Sequence, residues 1–138
     1  MDLLCFLPKT EEQHKLTKAL NSVLNKEDRK EMYSTIKSFT ARLKQPKKMD
    51  SIVIICPGNR MLLDRIIAVK DLLINTRVIL VLPDRDKETI KKAHTLNPRF
   101  TTFHGEDFIE FAGVVKKMRN GFYRGKNMRT IGLPEQRK

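Results

Sequence analysis

Several kinds of chemistry are excluded by what this chain of 138 residues lacks. It has two cysteines, Cys5 and Cys56, and no CxxC pattern, so neither a dithiol redox motif nor a zinc clip is expected. The three histidines, His14, His94 and His104, show no ligand spacing with one another or with the cysteines, and no metal site is expected. Its six glycines form neither GxGxxG nor GxxxxGK[ST], the loops that cradle phosphates. No apolar run approaches the ~20 residues of a membrane span. The apolar start, Met1 to Pro8, has no basic leader or small-residue cleavage site, and it reads as a first strand rather than a signal peptide. The expectation is a cytoplasmic protein with reduced core thiols, no cofactor and no metal.

What is present is a set of buried strands. Ser51-Ile52-Val53-Ile54-Ile55-Cys56 is a continuous, β-branched apolar run stopped by Pro57-Gly58. Arg77-Val78-Ile79-Leu80-Val81-Leu82 repeats that composition and is stopped by Pro83-Asp84. Arg99 to His104, stopped by Gly105, is a third and weaker strand. Strands without apolar/polar alternation are covered on both faces, as parallel strands with helices above and below are. The spacers, Asn59 to Thr76 and Arg85 to Pro98, are long enough for crossover helices and too long for hairpin turns.

The remaining elements follow in chain order. Asp2 to Leu7 is strand one. Thr10 and Gln13 form a capping box, and Leu16, Ala19, Leu20, Val23 and Leu24 place one apolar stripe on a helix that Asn25 can end. Lys26 to Lys48 admits two readings. One is a single helix from about Glu27; the other is a short strand near Lys30 to Tyr33, then a helix capped by Ser34 or Thr35 and carrying Ile36, Phe39 and Leu43. Pro46 closes the segment. Asn59 caps a helix running to about Asn75 with Leu63, Ile66 and Leu73 on its stripe. Asp84 and Asp86 are caps for a helix bearing Ile90, Ala93 and Leu96, which Asn97-Pro98 stops. Glu106 and Asp107 favour a last helix through its dipole, with Phe108, Phe111, Ala112, Val115 and Met118 buried. From Asn120 onward the glycines predict an extended or disordered tail. Residues 1–118 thus form one domain and residues 119–138 a basic tail.

This order, and the runs IVIIC, VILVLPD and RFTTFHGEDFIEFAGVVKKM, resembles the receiver domain of bacterial response regulators. That resemblance implies an α/β, flavodoxin-like, doubly wound five-stranded parallel sheet in three αβα layers. It also supports the short-strand reading near Met32. Receivers carry an acidic pair after strand one, an aspartate ending strand three, a Ser/Thr ending strand four and a lysine ending strand five. Here those places hold Pro8-Lys9, Cys56-Pro57, Pro83 and His104. Mg²⁺ needs hard oxygen ligands and phosphoryl transfer needs that cation, so the pocket reads as degenerate. The implied protein is not an enzyme. It is a pseudo-receiver acting by phosphorylation-independent protein binding. Its partner or a second copy would dock on the face built by the fourth helix, fifth strand and fifth helix, about Arg85 to Met118.

Two other readings stay open. Cys56 ends a central strand at the edge where α/β sheets place their sites, so a Cys56–His104 pair could serve a small enzyme. A buried structural thiol and a surface histidine are the plainer alternatives. A Cys5–Cys56 disulfide would need an oxidising compartment. The net charge is +12, of which Lys116 to Lys138, with eight basic residues and one acid, holds +7. Such charge favours anionic partners. Lys87, Lys91, Lys92, Lys116 and Lys117 would make the docking face basic. Arg119, Arg124, Lys126 and Arg129, interleaved with Phe122 and Tyr123, would extend it toward nucleic acid.

Overall fold

The computed structural model describes residues 1–7 and 11–124. Its elements are β1 (Asp2–Phe6), α1 (Glu11–Asn21), β2 (Arg29–Tyr33), α2 (Ile36–Leu43), β3 (Ile52–Ile55), α3 (Arg60–Ala68), β4 (Arg77–Leu82), α4 (Lys87–His94), β5 (Phe100–Phe103) and α5 (Ile109–Arg124). All neighbouring strands pair in parallel, in the order β2-β1-β3-β4-β5. The fold is the flavodoxin-like three-layer α/β arrangement.

The pleat explains why the strands read as unbroken apolar runs. Successive side chains point to opposite faces, and here both faces are cores. Leu3, Cys5, Ile52, Ile54, Ile79 and Val81 pack under α1 and α5 with Leu16, Leu20, Phe111 and Val115. Leu4, Phe6, Val53, Ile55, Val78 and Leu80 pack under α2, α3 and α4 with Phe39, Leu43, Leu63, Ile66 and Ala93. A polar residue on either face of β3 would meet hydrocarbon. Each fully buried Leu, Ile or Phe here contributes on the order of 1.5–3 kcal/mol of transfer free energy.

The two readings of residues 26–48 resolve to a strand and a helix. β2 docks on the free edge of β1, register Leu4↔Glu31 and Phe6↔Tyr33, with Arg29 N–H donating to Met1 C=O at 2.9 Å and Leu7 N–H to Tyr33 C=O at 2.8 Å. Pairing with an otherwise open edge outweighs the helical spacing of Met32 and Ile36. Thr35, not Ser34, caps α2: its hydroxyl accepts from Ser38 N–H at 3.1 Å. Thr10, half of the capping box, lies outside the described residues.

Three boundaries differ from expectation. α1 ends at Asn21, four residues before Asn25. The α-helix after Asn59 stops at Ala68, because β-branched Val69 leaves helical backbone at φ −113°; a 3-10 turn, Lys70–Leu73, then turns Leu73 into the core. Asn59 does cap α3, its side chain accepting from Leu62 N–H at 2.9 Å. Last, α5 continues through Gly121 to Arg124, so the helix crosses the expected boundary at Met118; the rest of the expected tail, 125–138, lies outside the described residues. α4 ends at His94 with Thr95 as its C-cap, and Asn97, at φ 50°, follows in the left-handed conformation that asparagine tolerates.

Candidate functional site at the carboxyl edge of the sheet

The carboxyl ends of β1, β3, β4 and β5 converge where α/β sheets bind ligands. Cys56 follows β3, held by its N–H donating to Phe6 C=O at 2.9 Å, and His104 follows β5, its N–H donating to Leu82 C=O at 2.9 Å. These backbone bonds bring the Cys56 Sγ to 3.3 Å from the His104 Nε2. His104 is therefore half-buried and bonded, not the surface histidine of the plainer alternative. Cys56 is 2% exposed, as the structural reading of this thiol has it.

A third group joins them. Glu12, in the first turn of α1, accepts the Gly105 N–H through Oε1 at 3.1 Å, and its Oε2 is buried without a hydrogen bond. Gly105 sits at φ 92°, where a side chain would be strained. Sequence reasoning missed Glu12, because a first-turn acid is explained by the helix dipole alone. The signal would have been its sharing of the sheet's carboxyl end with Cys56 and His104.

The electrostatics keep this pair neutral. Burial, then the Glu12 charge, pushes the Cys56 thiol up to about 12. Burial lowers the His104 pKa, and Glu12 opposes that only in part. At neutral pH the arrangement is a thiol beside a neutral imidazole, not a thiolate–imidazolium pair. A nucleophilic cysteine needs the thiolate, so this geometry does not supply one in the resting state.

The other pocket positions give no carboxylate cage. Pro57 is buried and Pro83 half-buried; Pro8 and Lys9 lie outside the described residues. Asp84 and Asp86 at the end of β4 are used structurally. Asp84 accepts the Asp86 N–H at 3.0 Å, and the Thr89 hydroxyl, then that N–H, hold its carboxyl below the usual range. Asp86 caps α4 by position, but its carboxylate pairs with Arg60 instead of a helix N–H. Arg60 also donates to Thr89 Oγ1 at 2.9 Å, which ties α3 to α4. Among the described residues no group of three His, Cys, Asp or Glu side chains is placed to hold a metal ion.

Cys5 and Cys56 are both free. They share a core, but the register sets Cys5 opposite Ile54, leaving Cys56 one diagonal step away and too far for a disulfide.

The basic residues separate into groups. Lys87 and Lys91 on α4, and Lys116 and Lys117 on α5, are exposed. Lys92 is engaged, its Nζ 2.9 Å from Asp64. Arg119 is the correction: it is 8% exposed, with Nε 3.7 Å from Asp28, so it faces inward and is not placed for contact with a nucleic acid or acidic partner. The i+4 spacing from Val115 could have shown that it lies on the buried flank. Arg124 closes α5, its side chain outside the description; Lys126 and Arg129 lie outside the described residues. No described helix is long and apolar enough to cross a membrane. No family model, curated protein or solved structure matches the chain.

Proposed function

We propose that this chain is a receiver-like domain that has lost the phosphoryl switch and works by binding another protein through the α4-β5-α5 face. The observation that carries the reading is the neutral Cys56–His104 contact at 3.3 Å, occupying the edge where a phosphoacceptor and its cation would sit. A buried thiol is a poor ligand for Mg²⁺, which takes oxygen donors. With that chemistry absent, what the scaffold offers is surface. Lys87, Lys91, Lys116 and Lys117 give the α4-β5-α5 face exposed positive charge, which favours an acidic partner.

The test is incubation with acetyl phosphate and Mg²⁺, followed by intact-mass measurement. No adduct is expected; a stable phosphoryl adduct on an acidic side chain would overturn the proposal. A second reading, nucleic-acid contact by Lys116, Lys117 and the basic residues beyond them, is favoured by the net charge of +12 and weakened by the inward turn of Arg119. It requires binding of labelled RNA or DNA that falls steeply with salt.

A further inference from the structure

The two edges of the sheet are unlike each other. β2 is a guarded edge: its sequence is Arg-Lys-Glu-Met-Tyr, with Glu31 paired to Arg42 at 2.8 Å and Lys30 bonded to Asn21 at 2.8 Å. Charges of this kind are how soluble proteins keep foreign strands off an exposed ladder. β5, the opposite edge, is Phe-Thr-Thr-Phe, uncharged and half-buried throughout, and among the described residues no strand pairs with its outer side. Such residues have high strand propensity and no gatekeeper. The His104 N–H donates to Leu82 C=O at 2.9 Å, and Leu82 pairs with Phe103. Alternation along the strand then turns the N–H and C=O of Phe100 and Thr102 toward β4 and directs those of Thr101, with the Phe103 N–H, outward.

What surrounds this open edge narrows the occupant. Arg99, which precedes β5, Lys91 on α4, and Lys116 and Lys117 on α5 are exposed, and none of them is in an ion pair among the described residues. The acids of the same helices, Glu88 and Glu110, lie in the first turns, toward the carboxyl end. There Arg85 is already taken up by Glu106 at 2.6 Å and by the Phe103 ring, 4.2 Å from its centroid. A second copy of the chain would bring the same lysines against each other, a like-charge contact that costs affinity.

We propose that the outer edge of β5 takes an acidic, extended segment of a partner protein as a sixth strand of the sheet. Main-chain bonds to Thr101 and Phe103 hold the segment, and the flanking lysines and Arg99 select its acidic side chains, the division of labour found in strand addition. The inference rests on the proposed docking face and names the kind of partner that face accepts.

The experiment is selection of short random peptides, displayed on phage, against the full chain. The expected winners alternate acids with β-branched residues. On binding, the Thr101 and Phe103 amides become protected from hydrogen exchange. Thr101→Pro removes only an N–H that faces outward, a place where an edge strand tolerates proline, and it is expected to weaken the peptides by about tenfold or more. A selected peptide N-methylated at alternate residues, tested on the unaltered chain, gives the same readout if Thr101→Pro does not fold. Acidic peptides that ignore both changes but are lost on Lys91→Glu/Lys117→Glu would overturn strand pairing and leave the docking face standing. Peptides insensitive to every one of these changes, or no enrichment at all, would overturn both. A dimer that forms with concentration and disappears in Thr101→Pro would give the edge to a second copy and overturn the acidic partner.

Discussion

At the scale of single residues, the carboxyl edge is decided by one contact between groups 48 positions apart, Cys56 and His104. Burial favours the uncharged form of both. The sign of the pH dependence follows from the folded and unfolded proton affinities. The His104 pKa is held below its ordinary value of 6.5 in the fold, so its contribution to stability is complete above pH 6.5 and is lost as pH falls through the folded value. The thiols run the other way. Cys5 and Cys56 rise from 9.0 to about 12, so their contribution is present below pH 9 and is lost as pH climbs toward 12. The Met1 amino group, which burial lowers but Asp50 and Asp28 raise on balance from 8.0, runs as the thiols do. The urea midpoint is therefore expected to be level between about pH 6.5 and about pH 8 and to fall on both sides. His104→Gln should flatten the first part of the acid limb, before the carboxylates titrate; an unchanged limb would remove His104 as its cause. Iodoacetamide at neutral pH is expected to label Cys56 slowly in the native chain and quickly in urea. Fast native labelling would revive the nucleophile reading.

At the scale of elements, most boundaries follow local chemistry, and the exceptions follow packing. Asn59 caps α3 as its side chain suggests, because that bond is made within a few residues. Residues 26–48 could not be read that way. Met32 and Ile36 suit a helix, and only the open edge of β1 turns Arg29–Tyr33 into a strand. Thr35→Ala should cost about 1 kcal/mol by denaturant unfolding. Ser34→Ala, one residue outside the cap, should change little. Equal effects would mean that α2 begins elsewhere.

At the scale of the whole molecule, two cores share one sheet, and α5 belongs to the domain beyond the point where its sequence turns basic. Ile54→Ala, in the centre of β3, is expected to cost about 3 kcal/mol. Truncation after Met118 removes Arg119 from the buried Asp28 carboxylate. The Met1 amino group also approaches Asp28, at 3.4 Å, so part of the charge stays compensated. A loss of about 1–3 kcal/mol is expected, read as a lower melting temperature; an unchanged one would show that the domain ends at Met118 after all.

The amino-acid order alone determined parallel strands with helices above and below, since unbroken β-branched runs need cover on both faces and the spacers are helix-sized; the doubly wound order came from the resemblance to receivers. It also placed Cys56 and His104 at strand ends, for the same local reason. Only the tertiary structure decided that they touch, that Glu12 stands beside them, that Arg119 turns inward and that β5 is left with an unguarded edge. Those outcomes depend on which strands become neighbours, and a linear pattern records what a residue prefers, not what it meets.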